Sequence, residues 1–120
     1  MLVQSYRVVV RHKVWLDAGA RFVLGDGGVT LLGAIAETGS VRSAANEVGW
    51  SYRHALAYLK NAEQALGYGL VERARGGNEH GGARLTTRGE DFLRRYTVFR
   101  RRLDRALHTL YRSTFGSQRR

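Results

Sequence analysis

The stretch from Ser40 to Leu66 constrains this chain most, because two helical patterns meet there across one glycine. Ser40-Val41-Arg42-Ser43-Ala44-Ala45-Asn46-Glu47-Val48-Gly49 places Ala45 four residues before Gly49. A second run opens on Ser51 and carries apolar residues at Ala55, Leu56, Leu59, Ala62 and Leu66, the spacing of an amphipathic helix. Ser40 and Ser51 are each suited to start a helix, since a serine hydroxyl accepts from the free first-turn amides. Gly49 suits the left-handed residue that ends one. A small residue at 45 lets two helices cross closely, as a helix-turn-helix requires. Spacing alone leaves two readings open: an ordinary helical hairpin, or the DNA-binding version.

Charge bears on that choice. The 120 residues carry a net charge of +10, and eighteen of the twenty basic side chains are arginine. Such a balance favours polyanionic partners through phosphate neutralisation and counterion release. Its distribution is uneven: residues 1–38 sum to +1, residues 39–85 to +2 and residues 86–120 to +7. Most of the charge therefore lies outside the helix-turn-helix candidate, and a solvated arginine-rich tail would give the same total. The length suits one domain with its own core. With no cysteine, disulfides and thiolate metal sites are excluded. The apolar run Val8-Val9-Val10 is too short for a signal-peptide core or a membrane span, so a soluble, cytoplasmic protein is expected.

Taken in order, Tyr6 to Leu16 is rich in β-branched and aromatic residues and predicts one strand, either throughout or beginning in a flexible arm. Asp17-Ala18-Gly19-Ala20 predicts a turn, and Arg21 to Leu24 a returning strand. Gly25-Asp26-Gly27-Gly28 breaks that strand. It lacks the third glycine spacing and the lysine-serine ending of a phosphate-binding loop, so no nucleotide site is expected. Val29 to Thr38 predicts a first helix with Leu31, Leu32, Ile35 and Ala36 as its apolar stripe, stopped by Gly39. After Leu66, Leu70 to Arg73 and Ala83 to Thr86 predict two short strands around a glycine-rich tip, Arg75 to Gly82. Two such strands behind a helix-turn-helix form a wing, whose glycines would let backbone approach phosphates. A plain surface loop is the competing reading.

Thr87 is expected to cap the last element, with Glu90 as its capping-box partner. Phe92, Tyr96, Phe99, Leu103, Ala106 and Leu110 follow at spacings of 4, 3, 4, 3 and 4, a heptad seam in a chain without proline. A wing cannot bury such a seam. The seam is expected to pair with its copy in a second subunit, or else to pack on the N-terminal hairpin of its own chain. Its arginines (Arg94, Arg95, Arg100, Arg101, Arg102, Arg105) take the outer positions.

The order of elements is similar to the LysR-type winged-helix plan. Glu37 to Ala45, Ser51 to Ala55, Leu70 to Gly77 and the closing Leu85-Thr86 resemble the N-terminal DNA-binding domain of the molybdate-responsive regulator (ModE) family. Val14-Trp15-Leu16 and Leu24-Gly25 resemble that family's opening hairpin, and the resemblance covers about residues 10–110. It implies dimerisation through the N-terminal strands and the long last helix. Members of that family continue into C-terminal oxyanion-binding modules, whereas this chain stops at Arg120 and nothing in it resembles a molybdate pocket. Any sensing part is therefore absent, truncated away or supplied by a separate effector-sensing protein.

The expected architecture is mainly α (α+β): a winged helix-turn-helix with an N-terminal β-hairpin and a long C-terminal dimerisation helix. Residues 1–86 form the DNA-binding domain and 87–116 the long helix, with no effector-binding domain in the chain. A recognition helix enters the major groove by its N-terminal end. Ser51, Tyr52, Arg53, His54 and, a turn later, Tyr58 are thus the candidates for contact with double-stranded DNA. Arg53 is the first choice for base reading, since a guanidinium matches guanine O6 and N7 in a bidentate pair; a phosphate contact or surface ion pair is its competing role. Tyr52 is expected either on DNA or packed on Trp50. Ser40, Arg42 and Ser43, at the start of the supporting helix, suit a phosphate. Arg73, Arg75 and Asn78 are the wing candidates.

No catalytic residue, metal or cofactor is expected. His12, His54, His80 and His108 fall in four different elements without ligand spacing, and no serine has a hydrolase setting. The expected function is a homodimeric, sequence-specific transcriptional regulator on an inverted-repeat site. A winged protein-interaction module serving a separate sensor, or a non-specific DNA-coating protein, are the rivals.

Overall fold

The fold was obtained as a computed structural model that describes residues 6–73 and 82–116. Strands β1 (Trp15–Ala18) and β2 (Arg21–Gly25) pair antiparallel. Helices α1 (Asp26–Thr38), α2 (Val41–Val48) and α3 (Tyr52–Leu66) follow. Strands β3 (Val71–Arg73) and β4 (Ala83–Leu85) form a second antiparallel pair, and α4 (Thr87–Phe115) closes the described chain. This is a winged helix.

The hairpin contributes to the core through an irregularity. Leu16 pairs with Leu24 but Asp17 pairs with Phe22, so Val23 is an extra residue in β2. A bulge of this kind breaks strict alternation, and Val23 and Leu24 are both buried although adjacent. They join Leu31, Leu32, Ile35, Val41, Ala44, Ala45, Ala55, Leu59, Ala62, Leu70 and Leu85 in one cluster. Ala44, Ala45 and Ala55 are fully enclosed where α2 crosses its neighbours. Among the described residues, no helix is long and apolar enough to cross a membrane.

Three expectations need correction. The strand expected over residues 6–16 begins only at Trp15. Residues 6–14 instead lie beside α4, where the Tyr111 hydroxyl donates to the Val8 carbonyl at 3.3 Å and His12 meets Arg100 and Asp104. A helix has already used its own backbone groups, so it offers an extended neighbour no ladder to join. The first helix starts at Asp26 rather than Val29, taking Gly27 and Gly28 into its opening turn. The cap of α4 is Thr86, whose hydroxyl accepts from Gly89 N at 2.9 Å, not Thr87. The Thr86 hydroxyl also donates to the Gly69 carbonyl at 2.7 Å, which fixes it outside the helix.

The apolar seam of α4 divides. Tyr96 is 4% exposed and Phe92 is half-buried against the core of its own chain. Farther along the helix, Phe99 is 45% and Leu110 61% exposed, with Ala106 also open and Leu103 half-buried. Because i+3 and i+4 steps keep one flank, these distal residues continue the stripe that Phe92 and Tyr96 begin, beyond the part of α4 that packs on its own chain.

Candidate nucleic-acid interface

The two helices of the motif are closed by local chemistry alone. The Ser40 hydroxyl accepts from Ser43 N at 3.0 Å and the Ser51 hydroxyl from His54 N at 3.0 Å. Gly49 ends α2 at φ 80°, a left-handed conformation costly for any residue with a Cβ. Its amide reaches the Asn46 carbonyl, and Trp50 N reaches the Ala45 carbonyl at 2.9 Å. The turn between the helices is thereby short and tied back to the last turn of α2.

An aromatic run then braces α3 against the hairpin. The Trp50 ring lies 4.4 Å from His54 and 5.0 Å from Tyr58, and Tyr58 meets Phe22 edge-on at 5.9 Å. The Tyr58 hydroxyl accepts from Gly25 N at 3.0 Å, joining mid-helix to the end of β2. Burial pushes the Tyr58 phenol above its ordinary value, opposed by the backbone donors of Gly25 and Gly28. Tyr58 is therefore committed inward, and the expectation that it faces DNA is corrected: its hydroxyl serves the hairpin. At the other end of α3, the Glu63 carboxylate accepts from Leu70 N at 2.7 Å and Val71 N at 3.1 Å. That contact ties α3 to the root of the wing, while Ala83 N, donating to the Gly39 carbonyl at 2.8 Å, ties β4 to the α1–α2 turn.

With its inner side engaged, α3 leaves an outer side open. Arg53, Ala57, Lys60 and Gln64 recur there at helical spacing and are all exposed, with His54 and Asn61 on the adjoining edge. The Arg53 side chain makes no ion pair or hydrogen bond among the described residues. Ala57 and Asn61 were not singled out from the sequence; their i+4 and i+8 spacing from Arg53 was the available signal. Ser43 and Arg42 are exposed on α2. The Arg42 guanidinium sits 4.1 Å from the centre of the Tyr52 ring, and the Tyr52 hydroxyl accepts from Arg73 Nη1 at 3.4 Å. Tyr52 thus engages these two arginines, while Trp50 takes His54 and Tyr58. Arg75 and Asn78 lie outside the described residues.

The carboxylates near this surface leave its arginines unpaired. Among the described residues the ion pairs fall on α4 and on Glu72–Arg84 in the wing, not on Arg42, Arg53 or Arg73. The contrast is sharpest at the α1–α4 junction. Asp26 accepts from the Tyr96 hydroxyl at 2.5 Å and from Arg100 at 3.0 and 3.1 Å. Hydrogen bonding to Arg100 holds the Asp26 carboxyl below its ordinary value, and burial together with Asp26 pushes the Tyr96 phenol well up. Arg100 also pairs with Asp104 one turn on.

An open, capped helix flanked by guanidiniums without carboxylate partners among the described residues has the chemistry to meet a polyanion. Residues 29–90 match the family model described as bacterial regulatory helix-turn-helix protein, lysR family. The chain is 38% identical over 78 residues to the molybdenum transport protein ModE of Herbaspirillum seropedicae, covering 65% of this chain and 29% of that protein. It is 37% identical over 70 residues to the DNA-binding transcriptional dual regulator ModE of Escherichia coli strain K12, covering 58% and 27%. The chain thus matches less than a third of the length of these curated relatives. A crystal structure titled CbnR_DBD-DNA complex is similar at a TM-score of 0.55 and 28% identity, covering 76% of this chain and 95% of that one. With more than half of its length inside the family's own pattern, this chain belongs to the lysR family of bacterial regulatory helix-turn-helix proteins.

Proposed function

We propose that this chain is a homodimeric, sequence-specific DNA-binding regulator of transcription, without enzymatic activity, that acts in the cytoplasm on an inverted-repeat site. The observation that carries the reading is the outer side of α3: Arg53 exposed and unpaired on a helix whose inner side is fixed by Tyr58, Trp50 and Glu63. A fixed helix presents its side chains at one depth and angle, which base reading in the major groove needs. Arg53 and His54 read base edges; Ser40, Arg42, Ser43, Ser51 and Arg73 hold phosphates. Arg75 and Asn78, which lie between β3 and β4 in the sequence, add contacts to phosphate or the minor groove. Two copies related by a twofold axis join through Phe92, Phe99, Leu103, Ala106 and Leu110. The likeness to a protein crystallised as a DNA complex supports the nucleic-acid partner.

The test is selection from a randomised duplex pool, followed by titration of the selected site and a scrambled duplex at matched salt. The expected result is an inverted repeat bound at least about a thousandfold more tightly than scrambled duplex. Equal affinities would overturn sequence specificity. Sedimentation of the free chain should give a dimer; a monomer would favour a heteromeric partner on the apolar flank of α4, whose exposed Phe99 and Leu110 suit either.

A further inference from the structure

We propose that Tyr52 is a positioning residue that sets Arg42 and Arg73 as one paired grip on the DNA backbone, coupling the wing to the recognition helix. This rests on the DNA-binding reading above and deepens it. Three elements supply the three residues: Arg42 comes from α2, Tyr52 opens α3 and Arg73 ends β3. The face of the ring carries the first guanidinium at 4.1 Å and the hydroxyl at its edge receives the second at 3.4 Å.

A cation–π contact and one hydrogen bond join the three elements, but they neutralise neither guanidinium. Two like charges held against one side chain repel each other, and no carboxylate pairs with either among the described residues. Each guanidinium keeps N–H groups free for another acceptor, since it donates at most once to the tyrosine. An anion placed between them would relieve the repulsion and accept from both, in the planar fork geometry that suits phosphate oxygens. Ser43 lies exposed beside Arg42, and Ser51 immediately precedes Tyr52, so the surroundings are polar and open. A duplex backbone fits this chemistry. It runs past the start of a recognition helix, and contacts there fix register without reading sequence.

The coupling follows from the shared ring. Arg73 belongs to the wing strand whose partner β4 is bonded to the α1–α2 turn, and it reaches α3 only through the Tyr52 hydroxyl. Remove that hydroxyl and Arg73 keeps its charge but loses its bearing. Remove the ring and both guanidiniums do.

The experiment measures affinity for one duplex against salt concentration for the wild-type chain and for Tyr52→Phe, Tyr52→Ala, Arg42→Ala, Arg73→Ala and the Tyr52→Ala/Arg73→Ala double variant. Each phosphate contact contributes about 0.9 to the log–log salt slope. Tyr52→Phe should weaken binding about threefold to tenfold and lower the slope, although it removes no charge. Tyr52→Ala should lower the slope further, and Arg73→Ala should then add almost nothing. A purely structural tyrosine would change melting temperature without moving the slope. Unchanged slopes in both Tyr52 variants, or additive effects of Tyr52→Ala and Arg73→Ala, would overturn the inference while leaving the regulator reading intact. Absence of salt-dependent duplex binding by the wild-type chain would overturn that reading, and this inference with it.

Discussion

Two helices of this chain begin alike and are put to opposite uses. The Ser51 hydroxyl caps α3 and the Thr86 hydroxyl caps α4, each accepting from an amide three residues on. Beyond the cap they diverge. The first turn of α3 stands open, with Arg53 and His54 exposed. The first turn of α4 is driven into the protein: Gly89 is buried against the Leu70 carbonyl, and Thr86 N donates to that same carbonyl at 2.9 Å. A turn or more later Tyr96 and Arg100 close on Asp26. One helix start is a joint and the other a surface. The cap does not decide which; what packs around the first turn does.

The largest effect expected from breaking this contrast lies at the joint. A Cβ at position 89 would stand 2.2 Å from the Leu70 carbonyl oxygen, a clash with backbone that no rotamer relieves. Gly89→Ala should cost about 2–4 kcal/mol of stability, read as a fall in the denaturant midpoint. A loss below about 0.5 kcal/mol would show that α4 can lift off β3 cheaply. At the surface, Arg53→Ala should leave stability within about 0.5 kcal/mol but reduce discrimination between selected and altered sites by about 1–3 kcal/mol. If both affinity and preference were untouched, the outer side of α3 would not be the reading side.

The smallest effect concerns the ion pair that pins α4 to α1. Asp26 is held below its ordinary value mainly by hydrogen bonding to Arg100, so its contribution is present above the unfolded carboxylate value of about 3.9 and is lost as pH falls through the folded one. Its side chain is 45% exposed, so screening leaves about 1 kcal/mol at neutral pH. Asp26→Asn should lower the melting temperature at pH 7, and the gap to wild type should close on acidification below about pH 4. A gap independent of pH would mean that the contact acts by shape rather than charge.

Much of this fold is legible in the sequence because its signals are local. Ser40, Gly49, Ser51 and Gly67 sit where helix ends put them, and the apolar steps from Ala55 to Leu66 give the inner side of α3. The misread helix start at Asp26 and cap at Thr86 are local shifts, whereas the larger misreadings are long-range. Nothing in Val8-Val9-Val10 says that its neighbour is a helix, or in Tyr96 that its hydroxyl finds Asp26 seventy residues away. Tyr58 shows the same limit: helical position brings it near the recognition residues, but only the hairpin makes it internal. The candidate surface was legible in the residue types of Arg53, Arg42 and Ser51, whereas Ala57 and Asn61 could be placed on it only by their helical spacing from Arg53.

The hydrogen bond from Gly25 to Tyr58 has a consequence for how such a protein could change its target. It anchors the helix from behind, together with the rings of Trp50 and Phe22 packed against Tyr58. The exposed outer positions of α3, Arg53, Ala57 and Asn61, take no part in that anchoring. Lettering and mount are separate, as in movable type. A new operator could be acquired by exchanging a few exposed side chains, each at small cost in stability, while the housing that sets their angle stays as it is.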